Sequence, residues 1–340
     1  MMIAFSIENL ILILMKNLLL TAFGFLLLTT ACSKDDPADD NNNNNDNQVA
    51  EASLIAPEID VRMAEPLSQQ AFSGALEIYP CDEGSSIYYG NYISGKLSIF
   101  NGLYMIVDGN VSGSYNRELH LPIGNYNMLY WGTPKYDEPI NNSPQIVAPG
   151  LSAGADLSKL YFSLRSIGNN LYSPTYDLVY ALKPAEIGTE PLQASLSRVS
   201  AGLKIIVKQS DGSAFTTDIT SVKVNIGNIA EKINFFTAQP ENMTKTVQFE
   251  LSRSEDGLTY QNATVMLFPS SETPPLELII TLQDGTEFTL QENLSSTLSP
   301  NTRLTLNIEV GTILPSGNPG DFTYDKWNES SENINFPLVD

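Results

Sequence analysis

The sequence contains little histidine, cysteine and basic charge, and each shortage argues against a class of function. The single histidine, His120, and the two cysteines, Cys32 and Cys81, are too few for a metal site built from spaced histidine and cysteine ligands. Eighteen basic residues stand against 39 acidic ones, giving a net charge of −21. Because such a chain repels phosphate backbones, nucleic acid is excluded as a partner.

The few residues able to perform nucleophilic or acid–base chemistry lie in unpromising surroundings. His120 lies between Leu119 and Leu121 and points away from both, which favours a surface strand position over a catalytic base. Cys81 precedes two acidic residues, whose charges raise the pKa of its thiol. A carboxylate-based hydrolase stays an alternative because 39 acids guarantee close pairs, yet nothing selects one pair. We predict no catalytic residue, no metal and no cofactor.

The start of the chain has the organisation of a lipoprotein signal. Basic Lys16 follows Met15, and the apolar run Leu18–Leu28 is 11 residues long, fewer than the roughly 17–25 needed to cross a bilayer. Small residues then lead to Cys32. We predict a signal peptide over 1–31 whose true start is Met15, cleavage before Cys32, and acylation of that cysteine, with an ordinary secreted protein as the alternative.

An acidic, asparagine-rich stretch follows the cysteine. Residues 32–52 have almost no apolar content, which predicts a disordered tether that cannot offset its ordering entropy. The segment directly behind Cys32 resembles the surface-export signal of lipoproteins in some Gram-negative anaerobes; it consists of Ser33, Lys34, Asp35 and Asp36. We therefore expect a protein anchored by palmitate-type acyl chains in the outer membrane and facing outward. Acylation of Cys32 would leave only Cys81, so no intramolecular disulfide is expected.

The body of the chain is dominated by period-two alternation, which is typical of half-buried strands. Leu203, Ile205 and Val207 share one face of a predicted strand, and the hairpin LELIITLQDGTEFTL turns at Asp284-Gly285. Helix candidates are few and short, at residues 64–72 and 156–160. Proline and glycine punctuate residues 185–198, which suggests a boundary between an N-terminal domain, 53–190, and a C-terminal domain, 191–340. The pattern predicts an all-β fold of antiparallel sandwiches.

Two short motifs and a tail resemble the FimB-type fimbrial anchor family, a fimbrillin-like lipoprotein family within the superfamily of major and minor fimbria subunits. The matching residues are Leu121, Pro122, Gly124 and Tyr126 in the first motif, Arg198, Val199, Ala201 and Leu203 in the second, and Trp327 in the tail. The resemblance implies two transthyretin-like antiparallel β-sandwich domains in tandem. It also implies a cell-adhesion pilus, the fimbrium, with this chain as the non-enzymatic anchor at its base.

Assembly is expected by β-strand addition, in which a segment of another fimbrial subunit pairs with an exposed sheet edge. Stalk and tip relatives are cut by a trypsin-like protease after a basic residue, and Arg62 is the candidate here. Cleavage after Arg62 would sever the body from its lipid, so the chain would then be a stalk or tip subunit. A surface glycan-binding lipoprotein is a further alternative, since aromatic residues could form a sugar-stacking platform: Tyr88, Tyr89, Tyr92, Tyr126, Tyr130 and Trp131. A host or bacterial surface ligand is a further conceivable partner.

Overall fold

The computed structural model describes residues 54–64, 71–135, 144–311 and 328–336, which belong to one compact unit, Asn47–Asp340. These residues form 25 strands and a single 3-10 turn, Leu157–Lys159, so the predicted all-β class is confirmed. No helix among them is long and apolar enough to cross a membrane. The predicted signal peptide, the tether and Trp327 lie outside the described residues.

The strands are numbered in chain order. The first half of the series comprises β1 Leu54–Ile55, β2 Ile59–Met63, β3 Gly74–Asp82, β4 Asn91–Ile93, β5 Lys96–Ser98, β6 Gly102–Val107, β7 Asn110–Val111, β8 Leu121–Pro122, β9 Gly124–Pro134, β10 Ile146–Val147, β11 Tyr161–Leu164, β12 Ser166–Gly168 and β13 Leu171–Tyr172. The second half comprises β14 Val179–Ile187, β15 Leu192–Arg198, β16 Ala201–Gln209, β17 Ile219–Asn234, β18 Pro240–Glu250, β19 Ser252–Arg253, β20 Thr259–Gln261, β21 Val265–Leu267, β22 Pro275–Leu282, β23 Glu287–Asn293, β24 Thr302–Val310 and β25 Asn328–Phe336.

Sheet one has seven strands in the order β2-β15-β14-β9-β3-β6-β7. Its central strands are buried on both faces, which explains the nearly continuous apolar run in β9. On one face, Ile78 pairs with Tyr130 inside a core that this sheet forms with flanking residues such as Phe72, Leu119 and Leu121. The sheet curls around that core: Arg62 of β2 forms a bridge to Ala71, close to the β6–β7 end of the sheet.

Sheets two and three contain the strands from β16 onward, joined by four earlier strands, β10 to β13. Sheet two has eight strands, β10-β11-β17-β18-β13-β12 with β22 beside β17 and β23 beside β22. Sheet three has six strands, β19-β20-β16-β24-β25 with β21 also on β16. The inward residues predicted from alternation, Leu203, Ile205 and Val207, are all buried in the shared core.

Three features of the fold differ from two tandem domains built of antiparallel strands. Among the described strands, four pairs are parallel: β2 with β15, β13 with β18, β16 with β24, and β24 with β25. Strands β11 and β13 precede the expected domain boundary, yet they pair with β17 and β18 beyond it. The second face of sheet one carries Tyr79 and Trp131 into the core of sheets two and three. Two tandem domains therefore remain a prediction.

Candidate functional site

The edge of sheet one at β2 is the site where the predicted processing residue lies. We define the β2 edge as Ile59–Met63 with its parallel neighbour, Leu192–Leu196. The ladder extends beyond β2 at both ends, because Leu192 donates its N–H to the carbonyl of Glu58 at 2.7 Å and Ala64 donates to the carbonyl of Leu196 at 2.8 Å. The strand is therefore an integral part of the sheet.

Side chains of β2 alternate between the core and solvent. Val61 is 0% and Met63 is 8% exposed, and both lie in the core of sheet one. Burial of each contributes roughly 1.5–3 kcal/mol. Arg62 points outward with 53% of its side chain exposed and forms an ion pair with Asp60 at 3.3 Å. Such an exposed pair contributes about 0–1 kcal/mol, so the inward side chains and the ladder hold this strand.

This geometry separates the exposure of the Arg62 side chain from the accessibility of its peptide bond. Arg62 is paired with Ser195, and the next residue, Met63, is paired with Leu196. A trypsin-like protease must bind its substrate as an extended segment, so it can reach this bond only after β2 has left the sheet. Departure of β2 would uncover the inward side chains of β15, which are Leu192, Ala194 and Leu196. The inward side of β15 is therefore covered while β2 is paired, and it would become an apolar groove after β2 leaves.

A second edge is formed by the C-terminal strand, β25. It pairs in parallel with β24 over nine residues, from Asn328 opposite Thr302 to Phe336 opposite Val310. Ile334 is 4% exposed and enters the shared core. The carboxylate of Glu332 accepts the backbone N–H groups of Ser295 at 2.7 Å and Ser296 at 3.1 Å. A main-chain ladder and one carboxylate clamp therefore contribute to the attachment of β25.

The aromatic residues considered as a sugar platform fill the interior instead. Of the six, Tyr88, Tyr130 and Trp131 are at most 1% exposed, and only Tyr89 is half-buried. The indole Nε1 of Trp131 donates to the carbonyl of Phe235 at 2.9 Å. The described residues therefore present no stacking platform from this set, and the core-filling interpretation is confirmed.

His120 and Cys81 have structural roles. His120 is half-buried and lies just before β8, rather than in the surface strand that its sequence predicts. The backbone N–H of His120 donates to Oδ1 of Asn91 at 2.8 Å, and its carbonyl accepts from Tyr92. Cys81 is 0% exposed, and burial, followed by the charge of Asp82, raises the pKa of its thiol to about 12. The acidic neighbours and a buried or idle thiol are what the sequence predicts at this position; burial is the larger cause of the raised pKa, and the charge of Asp82 is the smaller one. Among the described residues, no three His, Cys, Asp or Glu side chains are grouped as metal ligands.

The two motifs that carry the family resemblance have structural roles. In the first, the hydroxyl of Tyr126 donates to the carbonyl of Pro122 at 3.1 Å, the arrangement of a tyrosine corner. In the second, Nε of Arg198 donates to the carboxylate of Asp177 at 3.0 Å, and the hydroxyl of Ser200 donates to its other oxygen. The contacts of Arg198 and Ser200 with Asp177 hold the chain where it passes from β15 of sheet one to β16 of sheet three.

Two hydrogen-bond partners could not be identified from the sequence, and the predicted lipidation and export residues could not be located in the fold. Asp177 and Phe235 carry no local signal, because each acts through a residue distant in sequence: Phe235 meets Trp131 across 104 positions. The predicted lipidation and export residues lie outside the described residues, namely Cys32, Ser33, Lys34, Asp35 and Asp36. They stay a prediction.

Comparison with known proteins gives a match over most of the chain. The family model of the fimbrillin-A associated anchor proteins Mfa1 and Mfa2 matches residues 54–333. No curated protein matches the sequence.

Several solved structures are similar to this chain at low identity. A protein assigned as an adhesin from Bacteroides ovatus has a TM-score of 0.46 at 12% identity, covering 81% of this chain and 91% of its own. A protein assigned to polysaccharide binding from Bacteroides thetaiotaomicron has a TM-score of 0.45 at 16% identity, covering 71% and 85%. The fimbrial anchor protein Mfa2 from Porphyromonas gingivalis has a TM-score of 0.42 at 14% identity, covering 69% and 80%.

Proposed function

This chain belongs to the family of fimbrillin-A associated anchor proteins Mfa1 and Mfa2 and is a fimbria-associated surface protein. From that premise we propose that it is a non-enzymatic lipoprotein that anchors a fimbria to the outer membrane. Its partners are other fimbrial subunits, which join it by β-strand addition. No catalytic residue and no cofactor is needed for this role, because main-chain pairing and apolar burial supply the binding free energy.

The observation that carries this proposal is the position of β2 in sheet one. An anchor must keep its folded body covalently joined to its lipid. The chain from Cys32 to the fold passes through β2, and the peptide bond after Arg62 is held in a ladder with β15. Because Val61 and Met63 are buried, the folded state protects this bond from proteolysis. An intact β2 therefore favours the anchor over a processed subunit.

The apolar side chains beneath β2 support a stalk or tip subunit as the second candidate. If Arg62 were cleaved, β2 could leave and expose Leu192, Ala194 and Leu196 to an incoming strand. The body would then be released from the acylated Cys32. The chain can therefore be an anchor only if the peptide bond after Arg62 stays intact, and a stalk or tip subunit only if that bond is cleaved.

Two substitutions in the native bacterium separate these functions. For an anchor, Cys32→Ser should move fimbriae from the cells into the medium, whereas Arg62→Gln should leave them attached. Arg62→Gln is a matched probe because its side chain is exposed and its ion pair is weak. If Arg62→Gln instead blocks fibre growth, the chain is a processed subunit. If neither change alters the amount or attachment of fimbriae, the fimbrial proposal is wrong.

A further inference from the structure

Strand β23 is an open edge of sheet two. It pairs with β22 from Glu287 opposite Thr281 to Asn293 opposite Pro275, and no other described strand pairs with it. The turn before it is tight, with Gly285 at a φ of +87°. Residues on both sides of β23 along the chain belong to the described fold. An edge of this kind is a template for another strand.

The hydrogen-bond phase of the hairpin identifies which backbone groups face solvent. Leu282 donates to the carbonyl of Thr286, and Leu294 donates to that of Pro274. Bonded pairs alternate along an antiparallel ladder, so the even-numbered residues of β23 point their N–H and C=O groups at β22. Those of Glu287, Thr289 and Gln291 consequently point away from the sheet. Along this edge, every second residue of β23 therefore presents a backbone N–H donor and a C=O acceptor to solvent.

The side chains flanking this row indicate the chemistry of a partner strand. Phe288 and Leu290 lie on the core side, pack against the shared core and remain half-exposed because nothing described covers them beyond the edge. The opposite side carries two carboxylates, those of the exposed Glu287 and of Glu277, which lies opposite Gln291. Glu277 accepts hydrogen bonds from the side-chain amides of Gln291 and Asn225 while it keeps its negative charge. A strand with apolar inward residues and basic outward residues would complement both sides.

A recess beside the end of β23 adds a place for one such basic side chain. It measures about 390 Å³ and is lined by Gly227, Thr246, Pro275, Leu276, Glu277, Gln291, Glu292 and Asn293. Two of these residues are glutamates, and no lysine or arginine lines it. A cationic side chain could therefore enter it without a like-charge neighbour among the lining residues.

We propose that the β23 edge is the acceptor for an extended strand of another fimbrial subunit that has apolar inward residues and at least one outward lysine or arginine. This assignment rests on the proposed function, because an anchor that keeps β2 in place has no groove at β15 to offer. The longer edge at β25 is partly engaged already, through Glu332 and the turn that contains Ser295.

A single proline substitution tests the edge without breaking the hairpin. Because the N–H of Thr289 points outward, Thr289→Pro removes an outward donor but no bond to β22, and proline is tolerated at such edge positions. Thr289→Val keeps the N–H and is the matched control. The thermal unfolding midpoint of both variants should lie within about 2 °C of the wild-type midpoint.

The binding probe is a capped nine-residue peptide, KVTVKVTVK, compared with its acidic counterpart, EVTVEVTVE, on the full chain in detergent micelles. The basic peptide should bind wild type and Thr289→Val at least ten times more tightly than it binds Thr289→Pro. The acidic peptide should bind wild type at least ten times more weakly than the basic one does. Equal binding of the basic peptide to all three proteins would overturn the proposal.

Hydrogen exchange of the same complex locates the peptide. Protection should appear at the amides of Glu287, Thr289 and Gln291. Protection at Asn328–Phe336 or Leu192–Leu196 instead would place the acceptor on another edge. Self-association that Thr289→Pro abolishes, with no binding of either peptide, would make a second copy the occupant and would also refute the proposal.

Fimbria attachment in the native bacterium separates this inference from the proposed function. Deletion of the whole chain should release fimbriae into the medium, and Thr289→Pro should do the same while Thr289→Val does not. If deletion leaves fimbriae attached, the anchor function is wrong. If deletion releases them but Thr289→Pro retains them, the anchor function stands and only the assignment of β23 is wrong.

Discussion

Trp131 links sheet one to the core of sheets two and three, and its replacement by phenylalanine measures the strength of that link. The side chain is 1% exposed, and its indole Nε1 donates to the carbonyl of Phe235 at 2.9 Å. Its ring lies 4.9 Å from that of Phe162 in an edge-to-face arrangement. Phenylalanine preserves an aromatic ring at this position but removes the donor.

The expected cost follows from these contacts. Leaving the buried carbonyl of Phe235 without this donor costs about 1–3 kcal/mol. The smaller ring also leaves unfilled volume, while complete truncation of a buried tryptophan to alanine costs about 3–5 kcal/mol. Trp131→Phe should therefore lower the free energy of unfolding by about 2–4 kcal/mol. That is a large part of the roughly 5–15 kcal/mol of a typical domain.

The neighbouring residue supplies a matched control. Tyr130 is also 0% exposed, but it points to the opposite face of sheet one, and its hydroxyl has no hydrogen-bond partner among the described residues. Tyr130→Phe removes a buried, unpaired hydroxyl, so it should leave the free energy of unfolding unchanged or slightly raised.

Urea unfolding followed by far-ultraviolet circular dichroism compares the two variants with wild type, because this signal comes mainly from the backbone. We expect a lower midpoint for Trp131→Phe and a midpoint at or above that of wild type for Tyr130→Phe. If the two substitutions cost the same, or if Trp131→Phe costs less than about 0.5 kcal/mol, Trp131 does not hold the sheets together as inferred.

Three further predictions concern motif and core residues. Arg198→Ala should lower the free energy of unfolding by about 3 kcal/mol, because it removes the ion-pair partner of the buried Asp177 carboxylate. Chemical denaturation measures this loss, and an unchanged midpoint would contradict a stabilising role for Arg198. Tyr126→Phe should cost about 0.5–1.5 kcal/mol in the same assay, through loss of the bond to the Pro122 carbonyl, and no loss would exclude a tyrosine corner. The thiol of Cys81 should resist iodoacetamide at pH 8 until the chain unfolds, because burial raises its pKa to about 12; rapid alkylation of the folded chain would show that the thiol is accessible.

The pKa of Cys81 also sets the sign of a pH effect. Its folded-state pKa lies above the ordinary value, so the thiol keeps its proton in the fold after it has ionised in the unfolded chain. This contribution to stability is complete below the pKa of the unfolded chain, about 8.5, and is lost as the pH rises toward 12. Cys81→Ala should flatten the alkaline decline in stability.

The strands that could be predicted are those whose side-chain burial alternates locally. The hairpin of β22 and β23 was predicted with its turn at Asp284-Gly285, and its inward residues Leu278 and Ile280 are buried. Alternation suffices there because one face of each strand meets the core and the other meets solvent. Of the two short helices that the sequence predicts, 156–160 is a single 3-10 turn, Leu157–Lys159, and 64–72 lies mostly outside the described residues.

Pairing partners were not predictable, because they are set by contacts far apart in sequence. Strand β11 is four residues long, and its pairing with the end of β17 joins Phe162 to Ile233. Parallel attachment of β25 to β24 also leaves no local mark, since parallel and antiparallel strands share the period of two. Such choices depend on the assembled core.

The candidate site was partly readable from sequence. The residue type of Arg62 suggested a protease site, but its place in a ladder with β15 came only from the structure. The motif residues Tyr126 and Arg198 were recognised as a signature, and the structure gives their reason as hydrogen bonds to Pro122 and Asp177. A sequence shows which residue types recur in a motif, whereas the partner of each residue follows from the fold.

The most direct test of the anchor function is the intact mass of the mature chain recovered from fimbriated outer membranes. An anchor should begin at Cys32, carry acyl chains on that residue and retain Arg62 within an unbroken polypeptide. A chain that begins at Met63 and carries no lipid would contradict the account.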